Sequence, residues 1–77
     1  MKKWETYYSG YTIVVENRVA SERLYVNGEL QDEQLGIASR SRLWGALETG
    51  EIIKVSLGGV FKVHCRVFVN NKLVLSE

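Results

Sequence analysis

Arg23-Leu24-Tyr25-Val26-Asn27-Gly28-Glu29-Leu30 returns, slightly altered, as Arg66-Val67-Phe68-Val69-Asn70-Asn71-Lys72-Leu73. Each stretch runs arginine, aliphatic, aromatic, valine, asparagine, a turn residue, a charge, leucine. Asn-Gly and Asn-Asn between alternating apolar residues are two-residue hairpin signals, because a type I′ turn holds both central residues at positive φ. Glycine reaches that region freely, and asparagine more readily than most residues. Two similar β-hairpins are thus predicted, one in each half of the chain.

Strands extend outward from both hairpins. From Tyr11 to about Asn17, Tyr11, Ile13 and Val15 alternate with Thr12, Val14 and Glu16, as expected of a half-buried strand. Ala20-Ser21-Glu22 reads as a turn, and the polar run Gln31 to Gln34 suits a sheet edge. Residues 1–10 show no clear period and end at Ser9-Gly10. Residues 35–42 read as a loop, with a short helical turn left open. Leu43, Gly45 and Leu47 alternate with Trp44, Ala46 and Glu48 up to Thr49-Gly50, and 51–57 places Ile53, Val55 and Leu57 on one face. Gly58-Gly59 permits a tight connection or a bulge. Phe61, Val63, Cys65, Val67 and Val69 then share one face, predicted to be buried, while Lys62, His64 and Arg66 share the other.

The fold predicted is all-β: an antiparallel β-sandwich or rolled sheet of about seven strands, built from two similar hairpin-bearing halves. Residues 1–77 form one domain, with 1–10 as an N-terminal segment, 11–34 as a first meander and 43–76 as the second half. A composition of 45% hydrophobic and 25% charged residues is that of an ordinary globular chain. Two such meanders bury their apolar faces by packing on each other.

The lists of charges and cysteines remove several functions. A formal net charge of +1 argues against a dedicated nucleic-acid binder, which carries a basic excess. One cysteine excludes an internal disulfide and suits a reducing compartment. No apolar run reaches the ~20 residues of a membrane helix, and no signal-peptide core follows Lys2 and Lys3. A soluble, cytoplasmic protein without membrane contact is expected.

Chemistry-bearing residues do not assemble into a reaction centre. His64 and Cys65 are neighbours on a strand and point to opposite faces, so they cannot share a substrate or a zinc ion. Glu29, Asp32 and Glu33 cluster near the first hairpin but lack the spacing of a calcium loop. Gly58-Gly59 is not followed by the lysine–hydroxyl pair of a phosphate loop. No catalytic, cofactor-binding or metal residue is assigned, no cofactor is expected, and the protein is read as no enzyme.

Residues Arg23 to Glu29, Leu43 to Leu47 and Val67 to Lys72 resemble the β-sandwich repeats of the Fas apoptotic inhibitory molecule family. There, a strand ending aromatic-Val-Asp/Asn-Gly turns into a charged strand, and a second hairpin closes the domain. Leu-Tyr-Val-Asn-Gly at 24–28 and Cys-Arg-Val-Phe-Val at 65–69 are also similar to stretches in small uncharacterised bacterial β-domains. The resemblance implies a non-enzymatic antiparallel domain. It transfers no ligand-binding or catalytic residue, because the matching motifs are structural.

The outward face holds the remaining candidates. On the parity that buries Leu24, Val26, Val67 and Val69, the residues Arg23, Tyr25, Arg66 and Phe68 point the other way, and Lys62 and His64 join them. Val14 and Ile52 lie on that parity as well. Arginine and aromatics are enriched at interaction hot spots and also suit anions and nucleobases; the plain alternative is that they merely cover a sheet. The function expected is a small non-enzymatic protein-interaction module, self-associating as a homodimer or meeting another protein. The alternative is an oligomeric binder of an anionic or nucleotide-like ligand, nucleic acid included, through this Arg/aromatic face.

Overall fold

Alternation in sequence becomes eight antiparallel strands: β1 Lys2–Tyr8, β2 Tyr11–Asn17, β3 Ser21–Val26, β4 Glu29–Leu35, β5 Arg40–Ala46, β6 Ile52–Gly58, β7 His64–Val69 and β8 Lys72–Ser76. The computed structural model describes residues 1–36, 40–59 and 61–77. Among them no helix is long and apolar enough to cross a membrane. The strands form two four-stranded meanders, β1-β2-β3-β4 and β5-β6-β7-β8. Of residues 35–42, expected to form a loop with a helical turn left open, Leu35 ends β4 and Arg40 to Arg42 begin β5, while 37–39 lie outside the described residues.

Eight strands is one more than the sequence predicts. The addition is β1, joined to β2 by Ser9 (φ 48) and Gly10 (φ 82) with Tyr8 opposite Tyr11. This strand lies at the sheet edge, and Trp4 is its one buried side chain. A strand that sends a single large residue inward leaves no readable period.

Both predicted Asn turns are present. Asn27 and Gly28 sit at φ 49 and 82, and Asn70 and Asn71 at φ 46 and 66, as type I′ geometry requires. Each first asparagine also ties the hairpin to the preceding strand. Asn27 Oδ1 accepts the Thr12 N–H at 2.9 Å while its own N–H donates to the Thr12 carbonyl. Asn70 does the same with Ile52, at 2.8 and 2.9 Å.

The likeness of the halves extends to their irregularities. Leu24 faces Asp32 but Tyr25 faces Leu30, so Gln31 is bulged; Val67 faces Leu75 but Phe68 faces Leu73, so Val74 is bulged. The same bulge at the same place in both hairpins establishes a structural repeat, since bulges are specific local features. The halves differ in two connections. Leu47 and Glu51 enclose a three-residue loop where β1 and β2 are joined by two residues. The β6–β7 connection is longer than Arg18-Val19-Ala20 of the first half.

That longer connection overturns one expectation. Phe61 is not buried but fully exposed, at 102% of its reference area, and Val63 is only partly buried. The apolar alternation runs on in sequence before the strand begins at His64. Gly59, at φ 149, folds the chain back so tightly that a Cβ there would run into the Lys62 carbonyl. Lys62 accordingly lies off the sheet. Cys65, Val67 and Val69 are buried as predicted.

Inward residues of both sheets meet in one core, with Ile13, Val15 and Leu24 from the first and Leu43, Ile53, Val55, Val67 and Val69 from the second fully buried. At one seam β4 lies against β5, and β1 approaches β8 at the other. The β4–β5 seam is closed by side chains: Asp32 Oδ2 accepts the Trp44 N–H at 2.9 Å and Gln31 Oε1 the Ala46 N–H at 3.3 Å. Gly45 makes room for this approach, since a Cβ there would stand 3.1 Å from Leu24 Cδ2 and 3.2 Å from Gln31 Cβ.

Gly28→Val is expected to destabilise the protein by about 1–3 kcal/mol, because a β-branched residue is strained at positive φ. Asn71→Gly should be neutral or stabilising. Urea denaturation of the two variants beside the parent measures both.

Candidate functional site

Pairing across each sheet sorts the outward residues into rows. In the first sheet, Lys3 faces Glu16, Glu16 faces Arg23, and Arg23 faces Glu33. Signs alternate along this row, as favourable cross-strand pairs require. Arg23 Nε binds Glu33 Oε2 at 2.5 Å, and the Tyr25 hydroxyl and Glu33 together hold its guanidinium above the ordinary arginine pKa. Glu16 is engaged by Arg18 at 2.9 Å.

The corresponding row of the second sheet is Arg42, Ser56, Arg66 and Ser76. Both basic positions keep a base, and both carboxylates have become serine. The next row repeats the substitution: Glu5, Val14, Tyr25 and Leu30 in the first sheet correspond to Trp44, Lys54, Phe68 and Leu73 in the second. Every outward carboxylate on the first three strands and opposite Arg23 is thus replaced. Among the described residues, the ion pairs are Arg18–Glu16 and Arg23–Glu33, both in the first half. Arg40, Arg42 and Arg66 have none.

These arginines surround a concavity of about 530 Å³ at one end of the outer face of β5, β6 and β7. Arg40, Arg42, Arg66 and His64 supply its charge and donors, Ser56 a hydroxyl, and Gly58-Gly59 a floor without side chains; no lining residue is acidic. The volume lies within the usual range for small-ligand sites. The inserted β6–β7 loop rises from this end at Gly59. Behind it, a smaller cavity of about 70 Å³ holds Glu22, which the sequence placed in a turn. Glu22 faces inward on β3, is buried, and accepts the Ser41 hydroxyl.

The six residues expected to share a face are divided. Arg23 and Tyr25 lie outside the first sheet, where Arg23 is neutralised. His64, Arg66 and Phe68 lie outside the second, and Lys62 stands in the loop before β7. Because the sheets pack through their inner faces, the two groups point away from each other. Val14 and Ile52 are parted in the same way. Sequence reasoning passed over Arg40, Arg42, Trp44 and Ser56. Laying the two halves side by side, row by row, is the signal that finds them.

Phe68 carries Lys54 Nζ 4.7 Å from its ring centroid, a cation–π contact. Trp44, on edge strand β5 opposite Lys54, is half exposed. No family model, curated protein or solved structure matches this chain, so its functional reading rests on these residues.

Cys65 lies on the opposite side of the sheet, fully buried, and burial, with Glu77 adding to it, pushes its thiol from 9.0 up to about 12. It is expected to react with a thiol reagent only as fast as the protein opens. Between pH 9 and 12 the unfolded thiol loses its proton while the folded one keeps it, so stability should fall as pH rises. Cys65→Ala should flatten that decline in thermal melts across the same range.

Proposed function

We propose that this protein is a non-enzymatic binding module that takes an anionic ligand on the outer face of its second sheet. The reading is carried by bases on that face, Arg42 and Arg66, that face serines where their equivalents in the first sheet face carboxylates. An arginine held by a carboxylate, as in the first sheet, has little to offer a ligand. An unpaired guanidinium presents a planar fork of donors suited to phosphate or carboxylate oxygens. Three such groups around one concavity attract anions by their summed field.

Charge distribution supports the same reading. Residues 1–39 carry Lys2, Lys3, Arg18 and Arg23 against Glu5, Glu16, Glu22, Glu29, Asp32 and Glu33. Residues 40–77 carry Arg40, Arg42, Lys54, Lys62, Arg66 and Lys72 against Glu48, Glu51 and Glu77. A chain near neutrality is therefore acidic in one half and basic in the other.

Self-association as a homodimer is a second reading, favoured by Trp44, Ile52 and Leu73, each about half exposed on the same sheet. Apolar side chains exposed on one face supply the kind of surface that partner sites use. A dimer would show a melting temperature that rises with protein concentration.

Restoring the carboxylates tests the anion reading. The first sheet accommodates glutamate at the equivalent positions, so Ser56→Glu with Ser76→Glu should fold with unchanged or raised melting temperature. Its affinity for inorganic tripolyphosphate, measured by calorimetry at low salt, should fall at least roughly tenfold, given the strength of charge-assisted bonds. Equal binding by parent and variant, or none by the parent, rejects the proposal.

A further inference from the structure

We infer that the anion is the backbone of a single-stranded nucleic acid, with Trp44 stacking on one of its bases. This rests on the anion-binding reading above and narrows it to one ligand class. The outer face of the second sheet carries two kinds of row side by side. Arg42 and Arg66 lie in one row, with Arg40 and His64 in the row beyond; Trp44, Lys54 and Phe68 lie in the row on the other side. Successive rows stand two residues apart along the strands, roughly 6.6–6.8 Å. A ligand matching this pattern has anions along one side and flat apolar groups along the other, a nucleotide's width apart. A simple polyanion uses only the first row.

Both sheets carry one aromatic in this row, Tyr25 or Phe68, and the second adds Trp44. Trp44 stands where the first sheet has Glu5, and Lys54 where it has Val14. Where the first sheet's outer face has acids, the second thus has none in these rows, and it carries a further cation and an exposed indole. The Trp44 backbone is fixed by its bond to Asp32, so its ring is presented from a rigid edge. Lys54 already covers the ring of Phe68, which leaves Trp44 as the open platform with a cation beside it in the same row.

The shape of the surface favours single strands over a duplex. Reading a duplex takes a helix or ribbon that enters a groove. A sheet face bearing arginines and an aromatic suits unpaired bases, whose π-faces stack whatever their sequence. From β5 to β7 the face spans two interstrand spacings, about 9.6 Å, which limits it to a few nucleotides.

The test uses the full chain and fluorescence anisotropy at low salt. Labelled oligo(dT) and oligo(U) distinguish DNA from RNA, and an abasic oligonucleotide, duplex DNA, polyglutamate and tripolyphosphate serve as competitors. Oligo(dT) or oligo(U) should bind and quench Trp44 fluorescence, Trp4 being buried. Abasic strand and polyglutamate should compete at least roughly tenfold more weakly. Trp44→Ala should lose between about fivefold and a hundredfold in oligonucleotide affinity, as expected for one base–aromatic stack, and nothing in tripolyphosphate affinity. Trp44→Phe keeps a ring and should retain most of the binding, which separates stacking from misfolding. Ser56→Glu with Ser76→Glu should lower both the affinity and its dependence on salt. Tripolyphosphate binding together with indifference to bases and to Trp44, or equal binding of duplex, overturns the nucleic-acid inference and leaves the anion reading standing. Failure of every anion to bind overturns both.

Discussion

Register in each sheet depends on one asparagine. Asn27 and Asn70 do more than supply a residue tolerant of positive φ. Each exchanges two hydrogen bonds with one residue at or next to the start of the strand before its hairpin, Thr12 or Ile52. The turn is thereby tied to a third strand, and three strands are set in one register. A one-residue slip would turn every inward side chain outward, so the core of Ile13, Val15, Leu24 and their partners depends on these bonds. The outer rows depend on them equally. Ser56 and Arg66 stand opposite each other where Asn70 ties β6 to β7.

A repeat that shares one core varies less on its inner side than on its outer one. Inward positions of the two halves must fill a common interior at close packing, and at its centre they are aliphatic in both: Ile13 with Ile53, Val15 with Val55, Leu24 with Val67. Towards the ends they differ, Trp4 answering to Leu43 and Glu22 to Cys65. Outward positions meet solvent and carry no such restriction. There the first half keeps a self-neutralising row, whereas the second has exchanged its carboxylates for serine and tryptophan. The longer β6–β7 loop, with Gly59 at its bend and Phe61 exposed, lies at the same end as the concavity. Both departures from the repeat coincide in space.

Much of the fold was legible because turns and alternation are local. Asn-Gly, Asn-Asn and the runs at 11–17, 51–57 and 65–69 specify their structures without reference to anything distant. β1 was not legible, since Trp4 alone gives it an inward residue, nor was the exposure of Phe61, which depends on the backbone at Gly59 rather than on pattern. Glu22 read as turn because a carboxylate seldom points into a core; its partner Ser41 lies on another strand of the other sheet. The site was half legible. Parity correctly put Arg23, Tyr25, Arg66 and Phe68 outside, but parity is defined within one sheet. Only the strand order reveals that there are two outsides, with Arg23 on one and Arg66 on the other.

Net charge is a weak guide to a chain folded this way. The argument from +1 treats the molecule as a point, yet its charges are sorted onto two faces separated by a core layer of about 10 Å. At physiological salt the Debye length is about 8 Å. Through solvent, then, the two faces are largely screened from each other, and Glu16 and Glu33 on the far side are each already paired with an arginine. Adding and removing charge at equivalent positions of a repeat leaves the total near zero while building a field across the molecule. For a domain made of two like halves, the informative quantity is the difference in charge between corresponding rows, and here that difference is concentrated where the carboxylates have gone.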